Sequence, residues 1–478
     1  MLSLLPQLTI GAVDLVAAFL LLYGLHRMAS PVTAPSGIFV AGIGMAVVVL
    51  VSFLDIFGVS AAATPVLPVN IGLAVIAIAI GGGVAWWAGK KVAMTAMPQM
   101  VAIYNGMGGG AAGAIAAVEL FGRHATGMTP LTVTLLGALI GAVSFSGSLI
   151  AWAKLQSILN KPLRFPGQKI VNAAVFLITL ALGVYIILLD RTGAMSSGLI
   201  YLFFGCAMIF GILMTLPIGG ADMPVVISIY NACTGLAVGL EGFVLQNPAL
   251  MIAGMVVGAA GLMLTLVMAK AMNRSVSNVL FSNFGDAPKH KHSDMKGSLK
   301  PTEASDAGIF MNYAAKVIII PGYGLAAAQG QQKLYEFVKL LQSTGVDVKF
   351  AIHPVAGRMP GQMDVLLAEA GVPYDMIFQL EDINDEFANT DVALVIGAND
   401  VVNPAARTDK SSPIYGMPIL NADKSKQVYV VKRGEGKGYA GIQNELFYGE
   451  NCNMVYGDAA VVLTKMIEAV RGLGKAAA

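Results

Sequence analysis

The amino-acid sequence predicts a polytopic α-helical membrane domain of about nine spans, followed by a Rossmann-like α/β domain with a parallel sheet. Charged residues make up only 12% of the chain and apolar residues 56%, whereas charged residues are about 25% of a soluble protein. Ionisable residues are sparse up to residue 269 and ordinary in number after it. In this second part, short β-branched runs alternate with helical stretches, which is typical of a doubly wound parallel sheet.

Nine apolar runs are long enough to cross a bilayer, which takes about 20 mostly apolar residues. We interpret the first run as a retained helix, because the N-terminus has neither the basic segment nor the small-residue cleavage site of a signal peptide. The expected domains are a transmembrane helix bundle at 1–275, a polar linker at 276–310 and the α/β domain at 311–478. The nine runs lie near 7–25, 37–57, 68–88, 98–120, 130–152, 170–189, 197–217, 224–245 and 249–271.

The composition argues against a metal centre and against nucleic acid. His290 and His292 of the linker could bind a metal, but a polar stretch of this kind is more often only a flexible, solvated linker. The three cysteines, Cys206, Cys233 and Cys452, have neither metal-ligand nor disulfide spacing. The net charge is only +2 and no basic tract suggests nucleic acid.

The basic residues that flank the spans are distributed unevenly between the two sets of helix ends. With nine spans, one set carries only Arg123 and Arg191. Because positive residues mark the cytoplasmic side, we expect a multi-pass protein of the inner (cytoplasmic) membrane, with its N-terminus outside and its C-terminal domain in the cytoplasm. The asymmetry also favours nine spans over eight or ten. The basic residues of the cytoplasmic set are Arg27, Lys90, Lys91, Lys154, Lys161, Arg164, Lys169, Lys270 and Arg274.

Two similar segments, 97–105 and 223–231, open the fourth and eighth spans. Each starts with Met-Pro and ends with Ile-Tyr-Asn, so that Asn105 and Asn231 lie seven residues after a proline, roughly 10 Å along the helix. A single buried amide often only joins neighbouring helices. The repetition at matching positions favours a polar pathway shared by the two helices.

Other polar side chains in the spans have two interpretations each. At least one of Ser144, Ser146 and Ser148 must face a neighbouring helix, although serines that bond to their own backbone are the common alternative. Asp222 lies at the predicted cytoplasmic mouth of the eighth span, where a helix cap and a function are equally expected. Membrane carboxylates are costly and often mark ion paths. These carboxylates are Asp14, Asp55, Glu119 and Glu241, of which the last two lie near outer helix ends and could be solvated.

A glycine motif follows the first predicted strand of the α/β domain. Gly322-x-Gly324-x-x-Ala327 comes directly after Lys316–Ile320 and opens a predicted helix that extends to Ser343. In a dinucleotide fold the first glycine permits the tight turn, the second admits a pyrophosphate, and the helix N-terminus stabilises its charge. A merely structural turn is the competing interpretation, but the strand–loop–helix context favours nucleotide binding.

The end of the second strand distinguishes between the two dinucleotides. NAD-type folds place an acidic residue there for the ribose 2′-hydroxyl, whereas this strand ends at His353-Pro354. The missing acid predicts a 2′-phosphate, and therefore NADP. Arg358, and the pair Lys432-Arg433 at another strand end, are candidate phosphate donors.

These motifs resemble the beta subunit of proton-translocating NAD(P) transhydrogenases over essentially the full length of the chain. The residues that carry the resemblance are Ala221–Val226, Lys270–Ser275, Pro321–Gly324, His353–Arg358, Gly397–Asp400 and Gly438–Gly441. The resemblance implies a proton-conducting bundle and hydride transfer between NAD(H) and NADP(H), coupled to proton movement. It also implies that NADP(H) binds to this chain in a reversed orientation, that NAD(H) binds to a separate alpha subunit, and that the alpha–beta unit forms a homodimer in the lipid bilayer.

The resemblance assigns residues by motif. A lid is expected at Gly438–Glu445, Lys432 and Arg433 hold the 2′-phosphate, and Asp458-Ala459 closes the site. Some relatives have a membrane histidine at the position of Asn105. The rival interpretation is an ion channel or transporter gated by a regulatory nucleotide domain. The residues expected to serve the proton path and its coupling are Asp222, Asn231, Asn105 and Asp400. Those expected at the cofactor are Gly322, Tyr323, Gly324, Val355, Ala356, Gly357, Arg358, Met359, Pro360, Gly397, Ala398, Asn399, Asp400, Val401, Lys432, Arg433, Gly438, Tyr439, Ala440, Gly441, Ile442, Gln443, Asn444, Glu445, Asp458 and Ala459.

Overall fold

A computed structural model describes most of the chain and separates it into two compact units. The first unit comprises Met1–Pro217 and Ile227–Met263, and the second comprises Ile218–Val226 and Leu264–Ala478. The described residues are 4–30, 32–60, 67–122, 127–159, 163–190, 196–219, 222–281, 298–359, 361–434, 436, 438 and 440–476.

Nine helices within these ranges are long and apolar enough to cross a membrane. The prediction of about nine spans is therefore confirmed, and the chain is a multi-pass membrane protein. The linker histidines, Arg123, Arg191 and Lys161 lie outside the described residues. The nine helices are α1 (Leu4–Met28), α2 (Ala34–Ser60), α3 (Leu67–Lys91), α4 (Met97–Gly122), α5 (Met128–Leu155), α6 (Gln168–Asp190), α7 (Ser197–Thr215), α8 (Met223–Val244) and α9 (Pro248–Ala271).

Glycines bring the backbones of neighbouring helices into contact in the first unit. A Cβ on Gly235 of α8 would lie 2.3 Å from the nitrogen of Gly258 on α9, and one on Gly254 would lie 2.3 Å from the nitrogen of Gly239. A Cβ on Gly141 of α5 would lie 2.7 Å from a carbonyl oxygen of α4. Close approach of this kind is how helices pack in lipid without a hydrophobic driving force. It also brings polar side chains of α4, α5 and α8 within hydrogen-bonding distance.

The second unit contains a six-stranded sheet in which every neighbouring pair is parallel. The order β3-β2-β1-β4-β5-β6 is that of a Rossmann fold, so the predicted fold class is confirmed. Because β1 and β4 are neighbours, the loops that follow them meet at the carboxyl edge of the sheet, where such folds bind ligands. The strands are β1 (Lys316–Pro321), β2 (Asp347–Ile352), β3 (Ile377–Gln379), β4 (Val392–Ile396), β5 (Gln427–Lys432) and β6 (Cys452–Tyr456).

The helices of the second unit follow the predicted alternation with one difference. The stretch after the glycine loop is two helices rather than one, because the first ends at Ala327 and Gln329 adopts a left-handed φ of 51°. The N–H of Gly330 donates to the carbonyl of Leu325 at 3.1 Å, which is the terminating bond of a Schellman motif. The helices are α10 (Val276–Phe281), α11 (Ala304–Asn312), α12 (Tyr323–Ala327), α13 (Gln331–Ser343), α14 (Gln362–Glu369), α15 (Leu380–Ile383), α16 (Ala405–Thr408) and α17 (Ala459–Ala476).

The segment before β1 forms hydrogen bonds with β6, which is an edge strand of the sheet. The N–H of Met454 in β6 donates to the carbonyl of Lys300 at 2.8 Å, and the N–H of Thr302 donates to the carbonyl of Met454 at 2.9 Å. Helix α11 then packs on α17, where a Cβ on Gly308 would lie 3.0 Å from the backbone of Met466. Residues 298–312 are thus ordered together with the sheet.

Candidate functional site

The loop after β1 and the loop after β4 pack backbone against backbone. The N–H of Gly322 donates to the carbonyl of Ile396 at 2.9 Å, and that of Gly324 donates to the carbonyl of Gly397 at 3.0 Å. A Cβ on Gly324 would lie 2.7 Å from the Cα of Gly397, and Gly397 has a φ of 75°. The close backbone approach that Gly324 allows in this structure is with Gly397.

The helix after the glycine loop is short. Helix α12 has five residues and ends in the turn at Gln329. What the glycine loop positions directly is Tyr323, whose ring lies 4.2 Å from the guanidinium carbon of Arg358. This contact joins the loops after β1 and β2.

His353 anchors the loop after β2. Its side chain is 2% exposed, its Nε2 lies 2.7 Å from the carbonyl oxygen of Pro418, and its Nδ1 accepts the N–H of Val355 at 3.2 Å. Since Nδ1 accepts, Nε2 carries the proton and donates to Pro418. Burial lowers the pKa of His353 from 6.5 to about 4. The imidazole is thus neutral, and it connects this loop to the segment that contains Pro418.

The rest of this loop turns at Gly357 and is fixed by Gln362. Gly357 has a φ of 106°, which favours glycine. The N–H of Arg358 donates to Oε1 of the buried Gln362 at 2.6 Å. Of the expected cofactor residues here, Val355 packs against the core below the sheet edge, and Pro360 lies outside the described residues. The turn thus presents backbone and Arg358 at the carboxyl edge, as expected for a phosphate donor.

The predicted lid is held against the loop after β4. The N–H of Ala440 donates to Oδ2 of Asp400 at 2.9 Å. A Cβ on Gly438 would lie 2.2 Å from Oδ1 of Asp400, so only glycine fits beside this carboxylate. Ala440 and Ile442 also pack on an apolar cluster formed by Ala406, Ile414, Met417 and Ile419. Tyr439 lies outside the described residues.

Asparagines fasten the second half of the lid. Nδ2 of Asn444 donates to the carbonyl of Asn399 at 2.9 Å, and Nδ2 of Asn403 donates to the carbonyl of Gln443 at 3.0 Å. The N–H of Glu445 donates to Oδ1 of Asn403 at 3.2 Å. Asn403, which the sequence reasoning did not single out, is fully buried. The signal that could have identified it is the spacing of Asn399 and Asn403, which lie four residues apart after the buried strand β4.

The basic pair and the start of α17 meet at the ends of β5 and β6. The carbonyl of Lys432 accepts the N–H of Gly457 at 2.9 Å, and its Nζ lies 4.6 Å from the ring centroid of Phe447. Nε of Arg433 lies 3.7 Å from Oδ2 of Asp458, and the Arg433 side chain is 62% exposed. Asp458 also accepts the N–H of Ala460 at 3.1 Å, which is the hydrogen bond of an N-cap residue at the start of α17. Two cations thus stand beside the lid with one of them open to solvent.

Two cavities of the second unit lie at opposite edges of the sheet. One of about 60 Å³ is enclosed between the lid and the strand ends, and its lining includes Asn399, Lys432, Asn444 and Tyr456. A larger, open one of about 590 Å³ lies at the amino edge, beside Asp391. The smaller one is the candidate site, because Lys432 of the basic pair lines it together with the lid residues Ile442, Gln443 and Asn444.

Asn105 lies in a hydrogen-bonded cluster of the membrane bundle. Its Nδ2 donates to Oγ of Ser148 at 3.3 Å, and its carbonyl accepts Oγ1–H of Thr234 at 3.3 Å. Oγ of Ser144 and Oγ1 of Thr234 are 2.6 Å apart, and Ser144 also donates to the carbonyl of Tyr230 at 3.0 Å. Ser144 and Ser148 therefore face neighbouring helices.

The other polar residues of the fifth and eighth spans have different roles. Ser146 donates to the carbonyl of Ala142 on its own helix at 3.0 Å, which is the alternative interpretation of these serines. Asn231 is half-buried on α8, and the α8 side chain in the cluster is Thr234 instead. Thr234 lies three residues after Asn231 and so on a neighbouring part of the same helix face. The hydroxyl oxygens of Tyr230 and Thr215 are 2.6 Å apart and both residues are fully buried.

Asp222 forms an ion pair within the second unit. Nη1 of Arg274 lies 3.0 Å from both carboxylate oxygens, and the Asp222 side chain is only 5% exposed. The residue before Arg274, Asn273, has a left-handed φ of 49° and donates through Nδ2 to the carbonyl of Tyr415 at 2.8 Å. Gly416 leaves the space for this amide, since a Cβ there would lie 2.2 Å from Nδ2. The ion pair thus adjoins the segment that carries Ile414 and Met417 of the cluster under the lid.

We predict that the neutral His353 makes the sheet domain sensitive to acid. The unfolded chain gains a proton near pH 6.5 and the folded chain only near pH 4, so the unfolded state binds more protons in between. The stabilisation is fully present above pH 6.5 and is lost as the pH falls towards 4, by about 3 kcal/mol at most. Amide hydrogen exchange of β2 and β4, corrected for its intrinsic pH dependence, should show this loss. His353→Gln should flatten the slope between these pH values, and equal slopes in both proteins would contradict the assignment.

Comparison with known proteins identifies the family of the chain. Residues 10–469 match the family model described as NAD(P) transhydrogenase beta subunit. Two relatives named NAD(P) transhydrogenase subunit beta, one from Rhodospirillum rubrum and one from a named strain of that species, are each 44% identical over 473 residues. The alignment covers 96% of this chain and 98% of each relative. The chain belongs to the NAD(P) transhydrogenase beta subunit family.

Proposed function

We propose that this chain binds NADP(H) and couples hydride transfer between NAD(H) and NADP(H) to proton movement across the membrane. Family membership supports an oxidoreductase role within a complex. The observation that carries the finer proposal is the basic pair Lys432-Arg433 beside the closed lid, at the edge of a sheet whose second strand ends in a neutral histidine. A 2′-phosphate is the group that such a site would select over a free 2′-hydroxyl.

The residues at the carboxyl edge fit a dinucleotide phosphate. Arg433 is mostly exposed, and among the described residues its ion pair is with Asp458, through Nε at 3.7 Å, so its other donors can turn to a phosphate. Arg358 and Tyr323 stack where the loops after β1 and β2 meet. When bound, NADP(H) supplies the hydride chemistry, and the side chains named here bind it, orient it and exclude water.

The lid residues retain the cofactor. Asp400, Asn399 and Asn403 hold the 438–445 segment by four hydrogen bonds given above. Release of NADP(H) requires these bonds to break together with the packing of Ala440 and Ile442. The lid therefore gives the domain two states, one occluded and one open, as coupling to a second process requires.

Protons pass through the bundle by way of its buried polar groups. The cluster of Asn105, Ser144, Ser148 and Thr234 joins α4, α5 and α8 by side-chain hydrogen bonds. Its hydroxyls can both donate and accept, which is what a proton relay needs. Asp222 stands at the cytoplasmic mouth of α8, in the orientation with the N-terminus outside and the NADP(H) domain in the cytoplasm. Asn231, one turn before Thr234 on α8, belongs to the same route.

The second unit offers a contiguous route from the proton to the lid. Protonation of Asp222 would weaken its pair with Arg274, because the attraction needs the carboxylate charge. Asn273 is adjacent in sequence and bonds to Tyr415. The segment from Ile414 to Ile419 then packs under Ala440 and Ile442 of the lid. We propose that this route biases the two lid states.

A second subunit supplies the other nucleotide. The name "subunit beta" of the relatives implies an alpha subunit partner, and we propose that it binds NAD(H). The described part of the chain has one glycine-loop sheet with the basic pair, which accounts for one dinucleotide only. The alpha–beta unit is proposed to form a homodimer in the inner (cytoplasmic) membrane.

Replacement of the basic pair should change nucleotide preference. Lys432→Ala and Arg433→Ala should each weaken NADP(H) binding by roughly tenfold or more, since a hydrogen bond between charged groups contributes about 1.5–3 kcal/mol. NAD(H) binding, already weak, should hardly change. Titration calorimetry on the full chain in detergent measures both affinities. Lys424→Ala, an exposed lysine before β5, is the matched control, and equal wild-type affinity for the two nucleotides would refute the proposal.

The isolated chain should be unable to move hydride from NADH to an NADP analogue. Its single dinucleotide site cannot hold donor and acceptor together, and hydride transfer needs both nicotinamides in contact. Purified chain in detergent should gain activity only on addition of an NAD-binding subunit, followed by absorbance of the analogue. Full turnover without that subunit would show that the assignment of the two nucleotides to two chains is wrong.

Loss of the Asp222 charge should impair pumping without unfolding the protein. Asp222→Asn keeps the shape but removes the charge that faces Arg274, so proton uptake and the forward reaction should both fall severalfold, because a charged pair at this burial contributes on the order of 1–3 kcal/mol. Asn231→Leu should block proton passage and leave NADP(H) binding intact. Dye-reported proton uptake in vesicles is measured beside nucleotide turnover, with Asp347→Asn at an exposed position as control. Normal pumping in both variants would mean that these residues only cap and join helices.

A further inference from the structure

Glu241 is a buried acid near the last turn of α8. Its side chain has an exposure of 0%, and neither carboxyl oxygen has a hydrogen-bond partner among the described residues. It fits because Gly137 of α5 has no side chain, since a Cβ there would lie 2.0 Å from Oε1. The expectation that Glu241 is solvated at a helix end is therefore wrong.

An ionised carboxyl in these surroundings would be costly. Removing a charge from water without a partner costs several kcal/mol even after local relaxation. The neutral, protonated acid avoids most of this cost. Glu241 is thus built to hold a proton rather than a negative charge.

The charged surroundings of Glu241 are few. Glu119 of α4, half-buried, is the neighbour whose charge acts on it. On the helices packed nearby, α5 has Lys154 and α9 has Lys270 as their only charged residues, both at the far ends. On α8 itself the other titratable groups are Tyr230 and Cys233, two or more turns away. Glu119 is the partly exposed carboxyl of this end of the bundle, which makes it the group through which water can reach Glu241.

Glu241 is aligned with the polar cluster deeper in the bundle. Glu241 and Thr234 are seven residues apart on α8, and their contacts on α5, Gly137 and Ser144, are also seven apart. Seven residues are two turns, so both contacts lie on one face of each helix, roughly 10 Å from one another. The interface between α5 and α8 thus carries an acid at one end and the serine–threonine pair two turns further in.

We propose that Glu241 is a proton-carrying residue of the bundle, between Glu119 and the pair Ser144–Thr234. Glu241, protonated at rest, gives its proton up towards Thr234, and a proton that external water has delivered to the Glu119 carboxylate then passes to the Glu241 carboxylate, so that both acids return to their starting states. This inference rests on the proposed function and adds to it the group that serves the end of the bundle opposite Asp222.

The test uses the chain assembled with its NAD-binding partner in sealed vesicles. Glu241→Gln cannot titrate and should lower dye-reported proton uptake and coupled hydride transfer by roughly tenfold or more. Glu241→Asp keeps a carboxyl and should retain part of the activity. Asp190→Asn, a half-buried carboxyl at the end of α6, is the matched control and should pump normally. NADP(H) affinity should be unchanged in all three variants.

An infrared measurement tests the same residue without any turnover. At neutral pH the wild-type protein should show the carbonyl stretch of a protonated carboxyl. That band should be absent in Glu241→Gln and shifted in Glu241→Asp. The shift in Glu241→Asp assigns the band to this residue even if Glu241→Gln fails to assemble. An unchanged band, or wild-type pumping by Glu241→Gln, would overturn the inference alone. A wild-type complex that moves no protons would instead overturn the proposed function, while the infrared result still decides whether Glu241 holds a proton.

Discussion

The backbone contact between Gly397 and the loop Gly322–Gly324 is the constraint on which the proposed nucleotide site depends. Strands β1 and β4 are parallel neighbours, so their following loops must cross the same edge of the sheet. Neither loop has room for a side chain at this crossing. A Cβ on Gly397 would lie 2.2 Å from the nitrogen of Leu325, and one on Gly322 would lie 2.3 Å from the carbonyl oxygen of Gly397. This contact directs Tyr323 towards Arg358 and fixes the start of the 398–403 segment. The lid then rests on Asn399, Asp400 and Asn403, so its position follows from glycines that lie under the site.

Helix α8 has a comparable place in the membrane bundle. Its first residues belong to the second unit and the remainder to the first. It is preceded by Asp222 and carries Thr234 and Glu241, while its glycines lie against α9. Polar groups in lipid are tolerated where they face other helices. The glycines of α8 allow tight packing against α9, and this packing keeps the polar groups of α8 away from lipid.

Most of the fold could be predicted because each helix and strand is specified by residues that are close together in the sequence. The strands are β-branched apolar runs bounded by turn residues, and β1 and the end of β2 lie within one residue of their predicted positions. The break at Gln329 was missed because a glutamine in a left-handed conformation has no distinctive sequence signal. The partner of Gly324 was missed because Gly397 is remote in sequence. Thr234 was missed because a threonine in an apolar helix commonly bonds to its own backbone, and the burial of Glu241 depends on Gly137 of another helix.

The fastening of the lid has a consequence for its response to ionic strength. Asn399, Asn403 and Asn444 hold the second half of the lid through neutral amides and backbone groups. Dissolved ions screen exposed charges and leave such bonds nearly untouched. Arg433 and Asp458, by contrast, face each other at a largely exposed position. Salt therefore weakens the exposed pair of Arg433 far more than the hydrogen bonds of the lid, so the proposed affinity for a phosphate and the fastening of the lid can vary separately.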